Sequence, residues 1–187
     1  MEVFISWSGT RSKHLAVALR QWLPRVIQAL RPWMSEEDIP AGGRWSQDVT
    51  RNLEAAKFGI ICLTPENLAE PWLLFEAGAL GKFVDSSFVC PYLLGLEPEQ
   101  IKGQLAQFQA KRTNRPDTLS MLRSINGRLS SVSPAVSLPG AELEAQFDRW
   151  WPDLEEKFKQ YLKLGQQKRP NAPTEISLLR SWVLHVN

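Results

Sequence analysis

Two spacings of apolar residues alternate through the first two thirds of the chain. "EVFISW" is rich in β-formers and predicts a first strand over residues 3–6. "SGTRSK" interrupts it with turn and capping residues. From Ser12 the period lengthens: Leu15, Leu19, Trp22 and Val26 recur at three or four positions, one face of a helix that Pro24 is expected to kink or end. "RPWMS" reads as a short second strand near a sheet edge. "EEDIPAGGRW" reads as a loop, because two acids, a proline and a glycine pair cannot continue a strand. A helix is expected over residues 46–56. "FGIICLT" is a continuous apolar run, the pattern of a strand covered on both faces. Thr64 can cap the helical segment behind it, with Pro65 at the first position. "SSFVCPYLL" predicts a fourth strand and "FQAKRT" a short edge strand. Helices follow over residues 116–129 and 141–164, and residues 165–187 open as a polar, proline-containing linker that ends in a small apolar run.

Strands that alternate with helices are joined by crossovers, which make a parallel sheet with helices on its faces. Such sheets bind ligands outside the carboxyl ends of their strands. Three segments are expected to meet there: the loop after Ser6, the loop after Met34, and the end of the strand at residues 60–63 with the helix behind it.

Composition narrows the chemistry. The chain has 187 residues, 43% hydrophobic and 22% charged, which fits one globular domain with a short appendage. Its net charge of +2 is spread along the chain, with small clusters such as "AKRTNR" and "QQKR", so no electrostatic footprint argues for nucleic-acid contact. Cys62 and Cys90 each sit in a strand-like run. They read as buried reduced thiols, which suits the cytoplasm. A strand pattern begins at once where a signal peptide would stand, and no apolar run is long enough to span a membrane. There are only two histidines, His14 and His185, so neither a Cys/His metal cluster nor a well-placed serine triad is expected. No Walker lysine loop or dinucleotide fingerprint is present.

What remains is "PWLLFEAGALGKF". Between Glu70 and Lys82 only Glu76 can ionise, in a segment with Trp72, Leu73, Leu74, Phe75 and Leu80. On a helix, Trp72, Glu76 and Leu80 share one face. A carboxylate held there either projects to solvent beside apolar neighbours, or hydrogen-bonds a pair of hydroxyls in an apolar pocket. Trp22, Trp150 and Trp151 read as core anchors, and "LEEKFKQYLK" as an amphipathic covering helix.

"VFISWS", "WMSEEDIPAGGRW", "FGIICLTPENL" and "WLLFEAGAL" occur here in an order and spacing that resembles a bacterial TIR (Toll/interleukin-1 receptor) domain of the NAD-cleaving type. The resemblance covers residues 2–112 by motif and is expected to extend to Leu164, with residues 113–164 as a C-terminal helical part and 165–187 as a tail or linker. It implies an α/β, flavodoxin-like parallel sheet of about five strands in the order 2-1-3-4-5, with helices on both faces and C-terminal helices added.

The Trp-x-x-x-Glu pattern of such domains matches Trp72 and Glu76, which makes Glu76 the implied catalytic residue and Trp72 part of the pocket wall. The loop that lines the nucleotide pocket matches Ser6, Trp7, Ser8 and Gly9. The BB loop, the family's segment between its second strand and second helix, matches residues 36–45, with Asp38, Gly43 and Trp45 at its recurrent acidic, glycine and aromatic positions. Ser8 and Gly9 stand where active relatives often carry basic residues, which leaves Arg11 or Arg44 to contact phosphate. Trp45 and Trp72 offer flat faces to nicotinamide or adenine.

The implied activity is that of an NAD+ glycohydrolase or cyclase, with NAD+ as substrate and neither cofactor nor metal. It would serve anti-phage immunity by making an ADP-ribose-type signal or by depleting NAD. The implied partners are other TIR protomers, as a homo-oligomer or filament, and an effector protein that the product activates, as in a Thoeris-type system. Two other readings stand beside it. One is a non-catalytic scaffold that pairs TIR domains through the BB loop. The other is a nucleoside deoxyribosyltransferase-like enzyme, in which the glutamate would be a covalent nucleophile.

Overall fold

In the computed structural model, residues 1–34, 56–68 and 88–167 are described. Five strands pair into one parallel sheet: β1 (Glu2–Ser6), β2 (Arg31–Met34), β3 (Phe58–Leu63), β4 (Phe88–Leu93) and β5 (Lys111–Arg112). The strand order is β2-β1-β3-β4-β5, a flavodoxin-like arrangement, with the first crossover made by helix α1 (Thr10–Val26). "RPWMS" and "FQAKRT" do form the two edges.

β3 lies between β1 and β4 and is buried at every position. Because side chains alternate across a strand, Ile60 and Cys62 face one layer while Ile61 and Leu63 face the other. Among the described residues the first layer is the larger. There Leu15, Leu19, Trp22 and Val26 of α1 meet Val3, Ile5 and Tyr92 of the sheet. Two further helices close the same layer: α2 (Arg115–Val132), through Met121, Leu122, Ile125 and Leu129, and α3 (Gly140–Gln167), through Leu143, Phe147, Trp151, Leu154 and Phe158. The second layer holds Phe4, Ile61, Leu63, Leu93, Leu96, Ile101 and Leu105, with Phe4 stacked on Trp33 at 5.3 Å.

Local chemistry sets the helix ends. α1 begins two residues before Ser12, with Gly9 as its N-cap; Pro24 lies inside it, two residues from its end. α2 starts at an asparagine cap, where Asn114 Oδ1 accepts the Asp117 N–H at 2.9 Å and Pro116 fills an early helical position that needs no donor. In the turn behind β3, Thr64 takes part through its backbone: its N–H donates to Asn67 Oδ1 at 2.8 Å, and its carbonyl accepts the Asn67 N–H at 3.1 Å.

Trp22 and Trp151 are core residues, as their setting predicts, and Trp22 Nε1 donates to the Trp150 carbonyl at 2.7 Å. Cys62 and Cys90 are free and buried. Among the described residues no helix is long and apolar enough to cross a membrane. The helix expected over residues 46–56, the BB loop and the segment that carries Glu76 lie outside the described residues.

Candidate functional site at the carboxyl ends of β1 and β3

β1 ends at Ser6, a fully buried residue paired with Ile61 of β3. The chain then leaves the sheet through Trp7, Ser8 and Gly9 and turns into α1. Gly9 adopts a φ of +80°, a conformation that a side chain would strain, so glycine suits this sharp entry into the helix. Trp7 packs on the edge of the main core, and Lys13 Nζ sits 4.8 Å from the centre of its ring. The indole Nε1 is buried without a hydrogen-bond partner among the described residues.

The loop is tied to β3 by two buried side chains. Ser12 Oγ accepts the Ser8 N–H at 3.2 Å and donates to the Cys62 carbonyl at 2.8 Å. Asn67 Nδ2 donates to the Ser8 carbonyl at 3.1 Å and to the Cys62 carbonyl at 3.0 Å, while Oδ1 takes the Thr64 N–H. Two carbonyls on one side and an N–H on the other assign the carboxamide's orientation unambiguously. Both polar groups of the Ser8 backbone are therefore held by side chains, and the Cys62 carbonyl accepts two bonds.

Arg11 projects from the first turn of α1 beside Gly95, Pro65 and Leu162, so it lies where the ends of β3 and β4 meet the end of α3. Its side chain is 12% exposed, and Nη2 stands 2.8 Å from Glu66 Oε2. The contact is an ion pair without hydrogen-bond alignment: neither Nη2 nor Nε makes a hydrogen bond among the described residues. Glu66 is 55% exposed, so the pair is held at its carboxylate side by a solvated, movable group. Gly95 has a φ of +71°, and a Cβ there would stand 3.2 Å from Leu162 Cδ2, so glycine suits the close packing of α3 on this turn.

Of the site residues read from the sequence, Ser6, Trp7, Ser8, Gly9 and Arg11 come together at this edge. Asp38, Gly43, Arg44, Trp45, Trp72 and Glu76 lie outside the described residues. Ser12, Glu66 and Asn67 were not among the sequence candidates. Ser12 carried a usable signal, a polar residue three positions before Leu15 on the buried stripe of α1. Asn67 stood only as one polar residue in a turn.

The thiols beneath this edge are chemically quiet. Burial raises the pKa of Cys62 far above the ordinary thiol value, and the proximity of Cys90 adds to the rise. Burial likewise pushes Cys90 up to about 12. Both are protonated at neutral pH and do not serve as nucleophiles. Among the described residues no group of His, Cys, Asp and Glu could hold a metal ion. A groove of about 470 Å³ between α1 and α3 lies at the other end of α1, lined by Gln21, Arg25, Asp153 and Lys157, away from this edge.

Residues 3–120 match the family model of the TIR domain. Among solved structures, the TIR domains of the activated Roq1 resistosome directly recognizing the pathogen effector XopQ are similar at 15% identity and a TM-score of 0.45, over 87% of this chain and 97% of that one. No curated protein matches the chain.

Proposed function

Given that this chain belongs to the TIR domain family, we propose that it cleaves the bond between nicotinamide and ribose in NAD+, as a glycohydrolase or cyclase. The observation that carries the reading is the pair Trp72 and Glu76, four residues apart in the segment behind β3. The end of β3 is joined to the loop 6–9 by Ser12 and Asn67. A lone carboxylate suits this reaction. The leaving pyridinium takes the bonding pair and departs as neutral nicotinamide, so no general acid is required. Positive charge develops on the sugar, as in glycoside hydrolysis. Glu76 would orient the ribose hydroxyls and stabilise that charge, and an apolar wall makes its charge more effective. Water then completes hydrolysis, or a group of the same nucleotide closes a ring. Trp7, Trp45 and Trp72 supply aromatic surface for the two bases. Arg11 and Arg44 are the cations for the diphosphate, with Arg11 leaving Glu66 to do so.

In this reading the product, or the loss of NAD, serves a bacterial anti-phage response. The protein works as an assembly of TIR protomers, and an effector protein responds to its product. The test is nicotinamide release from NAD, followed by chromatography. Release by the native chain should fall at least about a hundredfold in Glu76→Gln, as expected for loss of a principal electrostatic stabiliser. Specific activity should rise with protein concentration. Release undiminished in Glu76→Gln would overturn the assignment.

One observation favours a second reading, a scaffold that pairs TIR domains without catalysis. The loop 6–9 holds no basic residue, and Arg11 is engaged by Glu66. Self-association together with no nicotinamide release at any concentration would select it.

A further inference from the structure

Ser12 and Asn67, with 0% and 2% exposure, are buried polar side chains at this edge whose hydrogen bonds cross between elements. Neither points to solvent, and each links the loop after β1 to the end of β3 rather than serving its own element alone. Ser12 sits where a helix of this kind would bury an apolar residue, next to Leu15 and Ala16. An alanine there would pack without the cost of burying a hydroxyl. As a cap it would be misplaced, since it lies in the first turn of α1 and its acceptor role is toward Ser8, four residues back. What the hydroxyl does is hold the Ser8 N–H while giving its own proton to the Cys62 carbonyl. Asn67 holds the other half of the same peptide neighbourhood, the Ser8 carbonyl, and shares Cys62 as its second acceptor.

We infer that Ser12 and Asn67 are positioning residues which clamp Ser8 to the Cys62 carbonyl, setting the loop 6–9, and Trp7 with it, in a ligand-ready conformation before the nucleotide arrives. This rests on the reading of the edge as a nucleotide pocket, though the clamp itself can be tested without it. The geometry divides the loop's freedom sharply. Ser6 is held in the sheet and Ser8 is held at both backbone groups, so the φ of Gly9 completes the turn and Trp7 has little choice of direction. A preset loop lowers the ordering cost at binding. It contacts substrate away from the bond that breaks, so its loss should weaken substrate and transition state alike.

The experiment uses the full chain with Ser12→Ala, and Asn67→Ala as the second variant. Amide exchange followed by NMR should show the Ser8 N–H in Ser12→Ala exchanging about tenfold faster or more, with the β3 amides unchanged. KM for NAD+ should rise about five- to tenfold while kcat stays within about twofold, a split that general loss of stability would not produce. Asn67→Ala should give the same split even if Ser12→Ala does not fold. Unchanged Ser8 exchange would overturn the clamp, as would a fall in kcat at constant KM. If the native chain releases no nicotinamide, the enzymatic reading fails, while the exchange measurement still decides whether Ser8 is clamped.

Discussion

The layer between α1 and α3 and the junction at the ends of β1 and β3 are built from the same chain by opposite means. In the layer, Trp22 meets Phe147 edge to face at 6.1 Å, Phe147 stacks on Trp151 at 5.3 Å, and Trp151 meets Phe158 at 6.0 Å. These contacts are apolar and numerous, and no one atom is indispensable. At the junction a handful of atoms, Ser12 Oγ and the carboxamide of Asn67 among them, carry the connection through directed bonds. Area holds the first region and defined partners hold the second. Stability should thus depend chiefly on the layer, and the shape of the site on the junction.

The largest effect expected is on thiol reactivity. Cys62 and Cys90 lie under the layer, with pKa values raised by burial. Folded protein at pH 8 should react with a thiol reagent at least about a thousandfold more slowly than unfolded protein, tracking the unfolded fraction. Fast labelling of the native chain would show that the layer opens readily.

Phe147→Ala should cost about 3–5 kcal/mol in denaturant unfolding, because it empties a fully buried site touched by two other rings. Asn67→Ala should cost less, about 1–3 kcal/mol, from carbonyls and an N–H left without a partner. A junction variant that proved costlier than Phe147→Ala would break the comparison.

The smallest effect belongs to the surface. Burial alone would raise the pKa of Asp117, but the Arg112 backbone N–H and guanidinium outweigh it, so the carboxyl titrates below its ordinary value of 3.8. A lowered folded pKa adds stability above the unfolded value, and that stability is lost as pH falls through the folded one. Asp117→Asn should therefore lower Tm by about 1–2 °C at pH 7 and by nothing measurable at pH 2. An equal effect at both pH values would assign the loss to geometry rather than charge.

Much of the fold was legible because its signals are local. The unbroken apolar run of β3 implied burial on both faces, and the stripe Leu15, Leu19, Trp22 and Val26 implied one buried helix face. Trp22 and Trp151 were identifiable as core residues for the same reason. The start of α1 was read two residues late, because Gly9 caps through its backbone conformation and offers no capping side chain to recognise. At the site, the loop after Ser6 was legible as a strand-to-helix junction. Its clamp was not, since the bonds of Ser12 and Asn67 to Cys62 and Ser8 span separations of up to 59 residues.

The sequence by itself determined the alternation of strands and helices, the quiet cysteines, the family motifs and the isolation of Glu76 among apolar neighbours. Each of these depends on residues close together along the chain. Only the tertiary structure decided that Arg11 is taken up by Glu66 beside Gly95 and Leu162, and that Ser8 is held at both backbone groups. The reason is geometric. A hydrogen bond or ion pair needs two groups within about 3 Å in the right direction, and no spacing along the chain specifies a meeting between segments that the sheet brings together.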